Sequence, residues 1–363
     1  MKRLLRILLP LVLCLNVSGC GMKDIDKRFY VVTTGVDLTD NPEKPYRISL
    51  RLAITSAQVE SGSSRTEIET IDAPSIAEGV RHLKSHVDKE LEFGHCRIFV
   101  LGKSLLRTAS PETMSFFSRR RDIQMISVFA VGEPDALSVL KVSPKSERYP
   151  GNALFLSFGN EGTESPYTIT TYLFDLVRKA YERGIDPILP VIKAEGRTYV
   201  IDQAVVLNKK GTGLLLTPKE TQLYKMTTSR SAKAEVVLPL DEQARVVLTV
   251  SQLRTKIGID RGTVPTVRMK VRVSGILEES PPGLLERDWH GLERRMEESL
   301  SGQIEDLLIK IRNSGTDPYG FGLKYLSQYF GKEKDYKYWQ SVYPEVKFKV
   351  ESDIHIKGPG VIR

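Results

Sequence analysis

The amino-acid sequence predicts an α+β chain of mixed, largely antiparallel sheets with packed helices, in two or three domains. Three observations carry that expectation. Val346, Phe348, Val350, Ile354 and Ile356 alternate with Lys347, Lys349, Glu351, Asp353, His355 and Lys357, and Val267, Met269, Val271 and Val273 alternate with Arg268, Lys270 and Arg272. A period of two belongs to strands with one apolar and one wet face. Trp289, Leu292, Met296, Leu300, Ile304, Leu307, Leu308 and Ile311 instead recur at steps of three and four, which places one stripe on a long helix. Finally, helices and runs of strands do not alternate strictly, as a doubly wound fold would require. With 363 residues, 40% of them hydrophobic, the chain can bury its own core without a metal or disulfide framework.

At the start, Lys2, Arg3 and Arg6 precede the apolar run Ile7 to Leu15, and Val17-Ser18-Gly19 stands before Cys20. This is the order of a secretory signal. As a helix, Leu4 to Gly19 would reach about 24 Å, short of a hydrocarbon core of about 30 Å. Val17-Ser18-Gly19-Cys20 resembles the bacterial lipobox, so residues 1–19 are expected to be a lipoprotein signal peptide and Cys20 the lipid attachment site. Removing the leader's three cations would lower the net charge from +8 to +5, a surplus too diffuse to imply nucleic acid. Cys14 leaves with the signal and Cys20 becomes a thioether, so Cys96 has no partner for an internal disulfide.

After a charged spacer to Arg28, Phe29 to Val36 and Tyr46 to Thr55 have strand chemistry around a turn with Asp40, Asn41, Pro42 and Pro45. Ile76, Val80, Leu83, Val87 and Leu91 predict a helix over Ser75 to Leu91, with Ser75 as N-cap. Arg97 to Leu101 and Ile123 to Val131 read as strands on either side of a helical segment from Ser104 to Ser118. A helix from Ser165 to Glu182 stops before Gly184. From Thr198 the chain turns to strands: Thr198 to Leu207, Leu214 to Thr217, Glu235 to Leu240 and Arg245 to Val250, then the alternating pair described above. The last strand is expected to lie antiparallel, with one wet face. Between the pair, a helix spans Asp288 to Asn313 and a shorter one Leu323 to Phe330.

Several residues invite a catalytic or binding reading that their spacing does not support. There is no G-x-S-x-G, H-E-x-x-H or G-x-G-x-x-G, which disfavours the common hydrolase, zincin and dinucleotide sites. Gly94 and Gly102-Lys103-Ser104 are too far apart for a phosphate loop. His82 and His86, four apart, could share a metal with His95 or Cys96, yet Arg81, Lys84 and Lys89 beside them mark a solvated face. Arg119-Arg120-Arg121 suits a helix C-terminus. The aromatic residues from Tyr319 to Trp339 suit a core margin, where their polar ends can find partners. No catalytic, cofactor or metal residue is therefore assigned.

Taken in order, several segments resemble the Ger(x)C family, the lipoprotein C subunits of GerA-type spore germinant receptors. They are Cys20 with Asp24 to Phe29, Gly35-Val36-Asp37, Leu91-Glu92-Phe93-Gly94-His95, Gly102, Arg121-Asp122-Ile123 and Asp186-Pro187-Ile188-Leu189-Pro190. The most specific part is Asp317-Pro318-Tyr319-Gly320-Phe321-Gly322, followed by Trp339, Tyr343-Pro344 and the last strand to Gly358. Gly21-Met22 departs from the Trp-Asp usual after the family's lipid cysteine. Gly320 and Gly322 permit positive φ or a close approach of backbones, and Asp317 before Pro318 suits a turn. Asp317, Gly320, Gly322 and Trp339 are thus expected to be structural.

The resemblance implies a lipidated N-terminus and spacer over 20–28, an N-terminal domain over 29–196 and a C-terminal domain over 197–363. It implies a non-enzymatic subunit without cofactor, palmitate-anchored at the outer face of the spore inner membrane and docked on receptor subunits A and B to support germination. A solute-binding lipoprotein of a transporter is the alternative, which would need two lobes of repeated βαβ units. A secreted hydrolase is a further rival.

Overall fold

A computed structural model of the chain describes residues 27–53, 66–107, 111–144, 150–158, 165–209, 213–229, 233–241, 244–260, 262–281, 289–328 and 333–359. Cys20 and the expected signal peptide lie outside them.

Nine strands form the first sheet: β1 (Arg28–Leu38), β2 (Tyr46–Ala53), β3 (Thr66–Ala73), β4 (Glu90–Glu92), β5 (Ile98–Gly102), β6 (Val128–Glu133), β7 (Ile188–Glu195), β8 (Thr198–Leu207) and β9 (Gly213–Leu216). Their order is β3-β2-β1-β5-β6-β7-β8-β9, with β4 beside the start of β1. The sheets are mixed, as expected, but the centre of this one, β1-β5-β6-β7, is parallel and its flanks antiparallel. The central strands are buried on both faces. Phe99, Leu101, Phe129 and Val131 pack with helices α1 (Ile76–His86), α2 (Pro111–Arg119) and α5 (Leu173–Tyr181); Ile98, Val100, Val128 and Ala130 pack with α3 (Ala136–Lys141) and α4 (Pro150–Leu156). The expected boundary at residue 196 falls in the turn between β7 and β8, inside this sheet.

The second sheet runs β10 (Glu235–Pro239), β11 (Arg245–Asp260), β12 (Thr266–Glu279) and β13 (Lys347–Pro359). One face packs on α7 (Trp289–Asn313), whose stripe from Leu292 to Ile311 is buried; the other is wet and cationic. Glu297 and Glu293 carboxylates accept from the Ile354 and Ile356 amides at 2.9 and 2.8 Å, and Ser301 Oγ from Ser352 at 2.9 Å. One helix face thus satisfies the edge of β13 that no strand pairs among the described residues, which blunts edge-to-edge association.

Several boundaries differ from the sequence reading, each for a local reason. β13 pairs parallel with β12, not antiparallel, because α7, α8 (Phe321–Gln328) and α9 (Glu333–Val342) carry the chain back across the sheet. Alternation reports one-sided burial and is silent on direction. The first helix ends at His86, and Leu91, in phase with it, belongs to β4. The segment expected as one helix from Ser104 divides into a short 3₁₀ turn, Lys103–Arg107, and α2 opening on Pro111. The helix expected from Ser165 begins only at Leu173. Before it, the β-branched run Thr168 to Thr171 stays out of the helix, with the Thr168 and Thr171 hydroxyls donating to Ile201 and Ile188 carbonyls. Helix α6 (Pro218–Thr228) is additional; Thr217 and Glu220 form its capping box, and Pro218 opens it.

Candidate functional site

Residues singled out in the two halves of the sequence meet at a single junction. The turn Gly184-Ile185-Asp186 leads into β7, and the turn Asp317 to Gly320 leads into α8. Asp186 N donates to Asp317 O at 2.9 Å, and Asp317 N to the Asp186 carboxylate at 2.8 Å. Leu323 N donates to Gly184 O at 2.7 Å. Backbones come this close because both sides lack a Cβ: one added to Gly322 would stand 2.5 Å from Trp339 Nε1 and 2.7 Å from Gly184 Cα. Gly184 and Gly320 both adopt positive φ, +75° and +71°.

Asp317 is the organising group. Its two carboxylate oxygens accept from Phe321 N at 3.0 Å and Gly322 N at 2.7 Å, at the first turn of α8. Burial nevertheless outweighs those amides and pushes its pKa up to about 7, with the nearby Asp186 adding in the same direction. Asp186 is raised by the same cause. Around them, Tyr343 donates to Thr316 O at 2.7 Å and Tyr224 to Pro318 O at 3.2 Å, while Tyr325 stacks on Trp339 at 4.9 Å. The Tyr343 and Tyr224 hydroxyls are held well above the usual phenol range by burial.

A cavity of about 340 Å³ opens beside this knot, lined in part by Asp186, Lys209, Tyr336, Trp339 and Gln340. Lys209 does not face it as a free cation: its ammonium donates to Ala180 O and Glu182 O, and to Lys179 O, capping α5. Its pKa is lowered by burial. A second cavity, of about 400 Å³, lies among Thr168, Thr171, Asp175, Tyr224 and Thr228, and those threonine hydroxyls donate to main-chain carbonyls. With its polar groups turned to the main chain, the junction is equipped to hold two halves in register.

The other singled-out residues fall into two smaller knots. Asp37 caps α3 through Ala136 N at 2.7 Å and Leu137 N at 3.0 Å, with Gly35 and Gly102 making room: a Cβ on Gly102 would meet the Asp37 carboxylate. Glu92 accepts from Gly94 N and pairs with Arg28, and Arg120 lies over the Phe93 ring while bridging Asp122. His82, His86 and His95 are exposed, and no group of metal-ligating side chains forms among the described residues. Cys96 is buried against Thr34, its thiol pushed up to about 12 by burial.

Two family models match the chain and part within the β7–β8 hairpin of the first sheet. The spore germination protein N-terminal domain matches residues 21–194, and the spore germination B3/GerAC-like C-terminal domain matches residues 202–360. The chain belongs to the Ger(x)C family of spore germination proteins. Spore germination protein GerQC of Bacillus cereus is 20% identical, with 98% of this chain and 99% of that one aligned. YfkR of Bacillus subtilis is 19% identical over 99% and 98%. The crystal structure of the GerBC protein has the same fold at a TM-score of 0.57 and 17% identity, covering 89% of this Ger(x)C chain and 96% of that one.

Sequence reasoning about Asp317, Gly320, Gly322 and Trp339 stopped at their own turn. It did not join them to Gly184 and Asp186, the latter 131 residues upstream of Asp317. The available signals were Gly184 just past a helix end and Asp186 before a proline.

Proposed function

We propose that this Ger(x)C protein is the lipid-anchored C subunit of a nutrient germinant receptor, a non-enzymatic body that docks on two membrane-embedded subunits, A and B, and supports the start of germination. The observation that carries the reading is Val17-Ser18-Gly19-Cys20 standing directly ahead of a chain that matches spore germination domains along its length. Acylation at Cys20 would hold the protein at the outer face of the spore inner membrane, since two or three acyl chains anchor where one does not. The tether raises the local concentration of the docking surface, so a modest interface stays occupied. Support for a binding role comes from the junction, whose carboxylates and tyrosines are committed to main-chain partners. The transporter alternative called for repeated βαβ lobes, whereas the two sheets here differ in strand number and order.

The test is a Cys20→Ala variant in sporulating cells. The expected outcome is a protein lost from the membrane fraction and spores slow to germinate on nutrients. Full germination with a soluble variant would overturn the proposal. Cross-linking in spore inner membranes is expected to recover the A and B subunits with the wild-type protein.

A further inference from the structure

One end of the first sheet carries features that the fold does not use. Strands β1, β5 and β6 are parallel, with Thr33 opposite Ile98 and Ile98 opposite Val128, so all three begin at the same end. Met125 and Ile126 immediately precede β6 there, and both are exposed, Ile126 at 63%. Phe174 N donates to Met125 O at 3.0 Å and Leu173 N to Ser127 O at 2.9 Å, bringing the exposed rings of Tyr172 and Phe174 alongside, stacked on each other at 5.8 Å. These four side chains make an apolar tip on a hydrogen-bonded backbone. Cations stand at the same end of the sheet. Arg120 turns inward onto Phe93 and Asp122, leaving Arg119 and Arg121 exposed and without an ion pair among the described residues. Lys89 lies over Phe29 and the exposed Arg97 over Phe155 at the same end.

The chain's own start says what covers this tip. β1 begins at Arg28, beyond the line of Thr33 at that same end. Eight residue steps separate Arg28 from Cys20, a reach of at most about 28 Å. We infer that the strand-start end of the first sheet rests on an anionic bilayer, with Met125, Ile126, Tyr172 and Phe174 in the headgroup boundary and Arg119 and Arg121 on lipid phosphates. An apolar tip with interfacial aromatics and flanking arginines is the composition such a contact needs. The tether and the tip would then fix the orientation of the first sheet together. This rests on the reading of Cys20 as acylated.

The test uses the acylated full-length protein in vesicles of phosphatidylglycerol and phosphatidylcholine, with a nitroxide on Ile126→Cys and, separately, on Lys44→Cys in the exposed turn after β1, at the opposite end of the first sheet. Cys96 is buried and Cys20 is blocked by acylation. The label at 126 is expected to be roughly tenfold less accessible to a water-soluble nickel chelate than the label at 44, and more accessible to oxygen. Adding Arg119→Glu and Arg121→Glu should return it to water. Equal chelate access at both positions in vesicle-bound protein would overturn the contact while leaving the tether intact; protection at 126 only when the receptor's membrane subunits are present would overturn it in favour of a protein interface. A bare thiol at Cys20 by mass spectrometry, with protein free of vesicles, would instead mark failure of the anchoring reading.

Discussion

The two sheets bury their strands in opposite ways. In β5 and β6 of the first, every residue from Ile98 to Gly102 and from Val128 to Gly132 is buried, and the side chains divide between two apolar layers. In β12 and β13 of the second, burial alternates, and the outward positions are Arg268, Lys270, Arg272, Lys347 and Lys349 among others. Arg254 stands directly opposite Arg272, and Lys256 opposite Lys270. A strand wet on one side announces its faces in its own sequence, whereas one covered on both sides depends on what is brought to it. The first sheet is thus a core closed on both faces, and the second exposes a charged face.

That contrast predicts where single substitutions hurt. Phe99 stacks on Phe129 at 4.9 Å and meets Phe117 edge-on at 5.2 Å, so Phe99→Ala is expected to cost about 3–5 kcal/mol in urea unfolding. Its neighbour on the opposite layer, Val100→Ala, should also destabilise. In the second sheet, adjacent positions should part company: Met269→Ala is costly and Lys270→Asn moves stability by less than about 0.5 kcal/mol. A tolerant Val100 would break the comparison.

Gly322→Ala tests whether the halves unfold as one. Its Cβ has no room against Trp339 and Gly184, and the expected cost is about 1–3 kcal/mol, with a red shift in tryptophan emission. Two separate unfolding transitions in this variant would show that the junction couples the sheets.

Asp317 sharpens the same point through pH. Its pKa rises from 3.8 to about 7 on burial, so the folded chain keeps a proton that the unfolded chain has released. The stability this contributes is full below about pH 4 and is lost as pH rises through about 7. Asp317→Asn also loses one of two amide contacts, costing on the order of 1 kcal/mol. The wild-type advantage over Asp317→Asn should therefore narrow between pH 4 and pH 7.5, measured by paired melts. A gap independent of pH would show that burial does not raise Asp317 above its unfolded value.

The smallest effect has the opposite sign. Lys256→Glu replaces a like-charged cross-strand pair with an attractive one facing Lys270, and should stabilise by about 0.2–1 kcal/mol at low salt, fading as salt rises.

Legibility followed burial. The helix from Trp289 to Asn313 and the alternating strands could be read because each has one apolar face and one wet one. Leu91 misled because helical phase continued by coincidence into a strand that pairs with β1. Helix α6 could have been recognised from Thr217-Pro218-Lys219-Glu220, since capping is a local signal. The apolar tip could not be separated from core, because Met125 and Ile126 sit in a β-rich run whose next residues are buried. For the junction, the resemblance marked Asp186, Asp317, Gly320, Gly322 and Trp339, yet their pairing joins turns too distant in sequence for any spacing rule.

The sequence by itself determined the one-sided elements, their caps and the family to which the chain belongs, because periodicity, capping and ordered motifs act over a few residues at a time. Only the tertiary structure decided the parallel centre of the first sheet, the direction of β13, the meeting of Gly184 with Gly322 and the end of the sheet on which Met125 and Ile126 stand. Those depend on which segments lie side by side, and strand direction and close backbone approach are set by partners far along the chain.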